Sequence, residues 1–310
     1  MSLEAESVTQ LGSGLVFNNT YGAGVTEAYR AAIVAAETNL ASQFTNSVSV
    51  ALHFDTQSLS PQFSAQNTYA LVGVSYADFT AALASHATTA DDRLAVAGLP
   101  QADPSHGVGF WISSAEARVL GLSTVPKAVD DTIVLNSDKW LEFGKDTVTT
   151  LEHEISEGVF GRVSSLGISL TGWQPMDLFR FTADGAHNYS GGADGQTAFF
   201  GVDGAHLSTL AFHNALNALG QNDGSGFNDW DTSADAFGPG GPGVIGDLSA
   251  TDLQILDILG WTPAPPPPVA PVAPVAPAPP VIPYAPEAAF HDVGPMNHIV
   301  TSFWGGWVDL

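Results

Sequence analysis

His153, Glu154 and Glu157 are the residues of this chain best placed to do chemistry. They lie in Thr147 to Arg162, TVTTLEHEISEGVFGR, whose apolar and polar residues alternate as on one amphipathic helix. Residues four apart on a helix share a face, so His153 and Glu157 can reach one cation together. Glu154 sits about 100° round the same turn, within reach of a water on that cation. Two ligands and a base on one turn suit metal-assisted hydrolysis, in which a metal acidifies water and a carboxylate takes its proton. Such a site needs a third protein ligand and an open position.

The third ligand has to come from further along the chain. Asp229, in Phe227-Asn228-Asp229-Trp230, is one candidate, a carboxylate in a polar turn beside an aromatic residue, and the imidazoles of His187, His206 and His213 and the carboxylate of Asp177 are the others. His187 and Asp177 are held in reserve. His187 lies in a Gly/Asn/Ser loop and reads first as a surface imidazole, and Asp177 with Arg180 reads first as a structural pair at a turn. His206 and His213 flank an apolar run and read as packing or surface residues. One imidazole and two carboxylates is a hard donor set, which binds Zn²⁺ and also suits Mn²⁺, Fe²⁺ or Ca²⁺.

The elements around this helix follow from periodicity and punctuation. Tyr21 to Phe44 has helical spacing, and Val48 to Phe54 alternates as a strand. Tyr69 to Val74 reads as a second strand, and Tyr76 to Ala95 as one helix. A short strand at Gly109 to Ile112 and a short helix near Ser114 to Gly121 follow. Asp131 to Asn136, DTIVLN, is a further strand. Ala250 to Gly260 is a closing helix, with Ser249 or Thr251 as N-cap and Gly260 just past its end. Between Arg162 and that helix Gly and Asp dominate, as loops and short strands require.

These segments resemble a bacterial group of metzincin-like metalloproteases. The likeness rests on the HEISE helix (an HExxE form of the HExxH pattern), Met176-Asp177-Leu178-Phe179-Arg180-Phe181, Asp229-Trp230, the strand at Asp131 to Asn136 with Trp140 after it, and the closing helix ending at Gly260-Trp261. It covers roughly residues 130 to 262. The resemblance implies an α/β (α+β) fold, with a mixed twisted sheet over the active-site helix and a loop-rich C-terminal half. It implies that His153, Glu157 and Asp229 are metal ligands, most simply of Zn²⁺, and that Glu154 is the general base of a metalloendopeptidase acting on peptides or proteins. Asp131 to Asn136 is expected at the sheet edge above the metal, where it would take an extended peptide by strand addition. The alternative from a different class is a catalytically inactive, metal-stabilised extracellular protein that is structural, adhesive or self-assembling.

Composition narrows the setting. Eight basic residues against 32 acidic ones give a formal charge of −24, which repels nucleic acid and anionic membranes and attracts cations. No Lys or Arg follows Arg180. Asn222, Asp223, Asn228, Asp229 and Asp231 carry oxygen donors that could wrap Ca²⁺, although Asp-Gly turns need no ion. There is no Cys, so disulfides, thiolate sites and cysteine nucleophiles are excluded. The N-terminus lacks a signal-peptide pattern, and no apolar run is long enough for a membrane span.

Three regions are expected: a metalloprotease-like domain over 1–262, a Pro-rich polyproline II linker over 263–286, and an aromatic tail over 287–310. The tail ends Trp307-Val308-Asp309-Leu310, an acidic residue among apolar ones, as in type I secretion substrates. It is expected to act as a secretion signal or as a docking and self-association segment. The chain is thus expected to be secreted or at the cell surface.

Overall fold

A computed structural model describes residues 5–9, 14–167, 172–219, 221 and 226–265. All of them belong to the first of two units into which the chain divides, Met1–Pro266 and Pro267–Leu310. The expected tail, and all but the first residues of the expected linker, therefore lie outside the described residues.

The architecture is mixed α/β. A five-stranded sheet has the order β1-β2-β3-β7-β4, where β1 is Ala5–Thr9, β2 Leu15–Tyr21, β3 Val48–Gln57, β7 Asp131–Asn136 and β4 Ala65–Tyr69. β2, β3 and β7 run parallel, and β1 and β4 pair antiparallel at the two ends. β3 shows why the sheet forms. Val48, Val50, Leu52 and Phe54 alternate onto one buried face, as period-two spacing requires. Two helices pack against each other beside this sheet, α1 (Glu27–Ala41) and α5 (Lys145–Gly158). α1 starts where the Thr26 side chain accepts from the Tyr29 amide, and it buries Tyr29, Ile33, Ala36 and Leu40 at helical spacing.

Several boundaries differ from the sequence reading, each for a local reason. Tyr21 ends β2, and α1 begins only at Glu27. Gly22 and Gly24 lie where a Cβ would run into the Asp55 and Thr56 side chains, so the chain turns there. The stretch Tyr76 to Ala95 is two helices, α2 (Tyr76–His86) and α3 (Ala90–Gly98). The break is a capping box in which the Thr89 hydroxyl and Asp92 carboxylate each accept the other residue's amide.

The correction that matters most for function concerns the sheet edge. β7 was expected at the edge above the site, but it is interior, paired with β3 on one side and β4 on the other. β4 is the edge strand. Its sequence AQNTY has almost no apolar alternation, because Ala65, Asn67 and Tyr69 are only half-buried and Gln66 and Thr68 are exposed. The chain breaks at Ala70, and β5 (Leu71–Val74) leaves to pair with β6 (Phe110–Ser113), which leads into α4 (Ser114–Val119).

Beyond α5 the chain is mostly loop. A 3₁₀ turn at Pro175–Phe179 enters a small antiparallel sheet of β8 (Arg180–Phe181), β9 (Phe199–Asp203) and β10 (His206–Ala211). α6 (Ala250–Ile258) closes the unit, capped by Ser249 with Asp252 in a capping box. Gly260 follows it at φ +102°, a left-handed position that favours glycine. Trp261 is then fully buried, its indole N–H donating to the Phe160 carbonyl at 3.0 Å. No helix among the described residues is long and apolar enough to cross a membrane.

Candidate metal centre

α5 supplies the first two groups. It ends at Gly158 rather than running to Arg162, and Gly161 at φ +79° turns the chain back. A Cβ on Gly161 would meet the buried Glu116 carboxyl at 2.0 Å, so only glycine fits. His153 Nε2 lies 3.3 Å from Glu157 Oε1, one turn on.

The third group comes from the loop after β10. Trp230 is fully buried against Phe200 and Phe212, and its indole N–H donates to Asp252 Oδ1 at 2.7 Å. The flanking backbone is tied as well: His213 N donates to the Asp229 carbonyl at 2.7 Å, and Trp230 N to the Phe237 carbonyl at 3.0 Å. With Trp230 locked, Asp229 projects toward α5. Its Oδ1 lies 3.3 Å from His153 Nε2. Ligand atoms of His153, Glu157 and Asp229 all lie within 4.8 Å of one another, the one such group of three among the described residues.

The spacing fits a cation. A tetrahedral ion at about 2.0–2.2 Å from its ligands sets them about 3.3–3.6 Å apart. Both distances from His153 Nε2 match that edge. One imidazole and two carboxylates could hold a metal ion here, and the donor set singles out no one metal.

Two further residues surround the triad. Arg162 is fully buried, with Nε donating to Ser156 Oγ at 2.7 Å and Nη1 to the Asn228 carbonyl at 2.9 Å. Its Nη2 lies 3.4 Å from Glu157 Oε1 and its Nη1 3.7 Å from Asp229 Oδ1. Asn228 Nδ2 donates to Glu157 Oε1 at 2.6 Å and to Asp229 Oδ1 at 3.3 Å. Sequence reasoning gave Arg162 no role and treated Asn228 only as a calcium donor. The one available signal was a lone Arg just past the helix motif, in a chain with few basic residues.

The electrostatics follow from this crowding. Burial and Arg162 push the His153 pKa down, but Asp229 and Glu157 outweigh them and raise it to about 10 in the metal-free chain. Burial pulls Asp229 up, yet His153 and Arg162 hold it below the ordinary carboxylate value. Glu154 is raised, first by burial and then by the Glu157 charge. It lines a cavity of about 170 Å³ with His153, Asp229, Thr150, Ala65 and Gly240. A larger cavity of about 470 Å³ lies between α1, the first half of α5 and Ile245–Leu248, away from the triad.

The reserve ligands do not join the triad. Asp177 is buried and accepts from the Ser164 hydroxyl, the Ser165 amide and the Gln174 amide. Its pKa reaches about 6 because burial outweighs those bonds. Arg180 donates to the Phe227 carbonyl and lies over the Phe212 ring at 4.3 Å. The Asp177–Arg180 segment therefore braces the Asp229 loop from behind. His187 stacks between Phe181 and Tyr189, and burial lowers its pKa. His206 pairs with Asp203 and His213 with Asp231, both outside the triad. Of the proposed calcium donors, Asn222 and Asp223 lie outside the described residues, Asp229 is a member of the triad with Asn228 beside it, and Asp231 faces His213. Comparison with protein-family models, curated proteins and solved structures finds no match to this chain, so its function has to be read from the centre itself.

Proposed function

We propose that the chain is a metal-dependent peptidase of metzincin-like architecture, with His153, Glu157 and Asp229 holding the cation, most simply Zn²⁺, and Glu154 as general base. The observation that carries this reading is the position of His153 Nε2, 3.3 Å from a carboxylate oxygen on each side, beside a cavity that Glu154 also lines. The bound cation would acidify a water and polarise the scissile carbonyl. Glu154 takes up the proton from that water and passes it to the leaving amine.

β4 is the element suited to hold substrate. Asn136 N donates to the Ser64 carbonyl, and Ala70 N to the Asp130 carbonyl. Antiparallel bonding alternates, so the backbone groups of Ala65, Asn67 and Tyr69 turn away from β7. Ala65 lines the metal cavity, and Asn67 and Tyr69 line a neighbouring one of about 390 Å³. An extended peptide adding to this edge passes the cation with its backbone paired. The chain's acidity and lack of Cys fit work outside the cell, with type I secretion as the proposed route.

The second reading, a metal-stabilised protein without turnover, is favoured by the small cavity. A Cβ on Gly241 would approach Ser64 Oγ to 2.8 Å, so the two loops meet over the site. Glu154→Gln separates the readings. Hydrolysis of casein or a peptide library with Zn²⁺ or Mn²⁺ added is expected to vanish while elemental analysis shows unchanged metal content. Turnover that survives the substitution would remove Glu154 from the chemistry, and a wild type that binds metal but cleaves nothing would favour the second reading.

A further inference from the structure

We infer that Arg162 is the positioning residue of this centre: its buried guanidinium clamps the Asp229 loop onto α5 and so holds the third ligand in place. The inference rests on the metal-site reading above, but not on turnover. His153 and Glu157 are placed by one helix, which needs no outside help. Asp229 sits on no helix: it arrives from a loop 72 residues after Glu157, tied down by Trp230 and the flanking backbone bonds. Arg162 touches both partners from the helix side, as the Asn228 amide does from the loop side. On the helix side it reaches Ser156 Oγ at 2.7 Å, the His153 carbonyl at 3.5 Å and Glu157 Oε1 at 3.4 Å. On the loop side it reaches the Asn228 carbonyl at 2.9 Å and Asp229 Oδ1 at 3.7 Å.

Its own position is fixed by three further features. It is fully buried, its guanidinium lies 4.4 Å over the Phe237 ring, and Phe237 N donates to Asp235 in the next part of the same loop. Gly161 sets the turn that aims it. A planar fork with five donors can serve acceptors on both elements at once, which a lysine ammonium cannot do from one point. The charge also counts. Two carboxylate ligands with Arg162 behind them leave a net −1 beside the cation, the same as an uncompensated set of two His and one carboxylate. Arg162 therefore offsets the second carboxylate that stands where the helix motif would carry a second His.

The test is Arg162→Lys in the full chain, which conserves the charge and removes the fork. Zn²⁺ affinity is measured by calorimetry, and thermal unfolding is followed with and without metal. The dissociation constant is expected to rise by about 10–100-fold, the range for losing a residue that orients a ligand. The thermal gain on adding Zn²⁺ should shrink with it. A folded variant that binds Zn²⁺ within twofold of wild type, whatever its loss of stability without metal, would reduce Arg162 to a structural role and overturn the inference. If the Lys variant does not fold, Ser156→Ala removes only the anchor on Nε, and a several-fold weaker affinity is expected; unchanged affinity counts against the clamp. A wild type that takes up no cation overturns the metal reading itself, whereas one that binds Zn²⁺ without cleaving leaves the clamp open to the affinity measurement.

Discussion

Asp229 carries the tightest compromise at the residue scale. It is one of two carboxylates facing a single imidazole, and it stays ionised despite burial because His153 and Arg162 lie beside it. Asp229→Ala should leave Trp230 anchored on Asp252, since the indole bond and its aromatic neighbours do not involve the carboxylate. The variant is therefore expected to fold and to purify without stoichiometric metal. Its loss of metal should also abolish the thermal gain on adding Zn²⁺. Retention of full metal content by a folded Asp229→Ala chain would mean that another group supplies the third ligand. His187 and Asp177 are poor substitutes, because one is stacked between aromatic rings and the other has its carboxylate taken by three donors.

At the scale of elements, the strap Gly238–Gly243 borders the cavity. Gly238 N is tied to the Asp235 carbonyl and Gly243 N to Asp146 Oδ2, while Pro239 and Gly240 between them line the cavity. A Cβ on Gly240 would lie 3.9 Å from Thr150 Cβ, inside the range that a disulfide spans. Gly240 is not at positive φ, and the chain has no other Cys to compete. The double variant Gly240→Cys/Thr150→Cys should therefore form a lock between the strap and α5. Oxidation is expected to slow removal of metal by a chelator and to block peptide hydrolysis, and reduction by a phosphine to reverse both within the same preparation. Equal rates in the oxidised and reduced forms would show that the strap does not gate the cavity. β4 illustrates a related point. Its polar sequence hid it as a strand, because an edge strand beside a cleft needs little apolar alternation.

At the scale of the whole molecule, acidity sets the pH response. Asp257 is buried between α6 and α3, accepting from the Thr89 hydroxyl at 2.9 Å, and its pKa is raised to about 7 by burial and then by Asp92. Glu152 is raised to about 7, mainly by burial. Asp252 is raised by burial and by Asp235. A carboxyl raised in the fold keeps a proton that the unfolded chain releases. Its contribution is complete below about pH 4 and is lost as pH rises toward about 7. In the metal-free chain His153 adds a second decline between about pH 6.5 and about pH 10. Exposed turn carboxylates such as Asp184 and Asp194 are lowered and act oppositely, losing their contribution in acid. The melting temperature in chelator is expected to peak near pH 5 and fall toward pH 8, and Asp257→Asn should flatten that fall. A melting temperature that climbs from pH 5 to pH 8 would contradict these assignments.

Local geometry determined what the sequence could determine alone. One helical turn separates His153 from Glu157, so their shared face, and the position of Glu154 beside it, follow from α5 being a helix. β7 has its predicted bounds because DTIVLN carries a β-branched and apolar centre, with Asp131, Ile133 and Leu135 on one buried face and Thr132 and Val134 half-buried on the other, and α6 is marked by its own capping residues. Asp229 was legible as a carboxylate in a polar turn beside an aromatic residue, and its ligand role came only with the Asp-Trp pair of the family resemblance; its meeting with α5 needed Trp230, Asp252 and the Arg180 brace to assemble first. Arg162 and Asn228 became part of the centre only through contacts that span long stretches of chain, 66 residues for one and 71 for the other. Tertiary structure likewise put β4 rather than β7 at the sheet edge. Spacing within a helix is set by the backbone, whereas the order of strands and the meeting of distant loops depend on which apolar faces are buried together, and no local pattern encodes that.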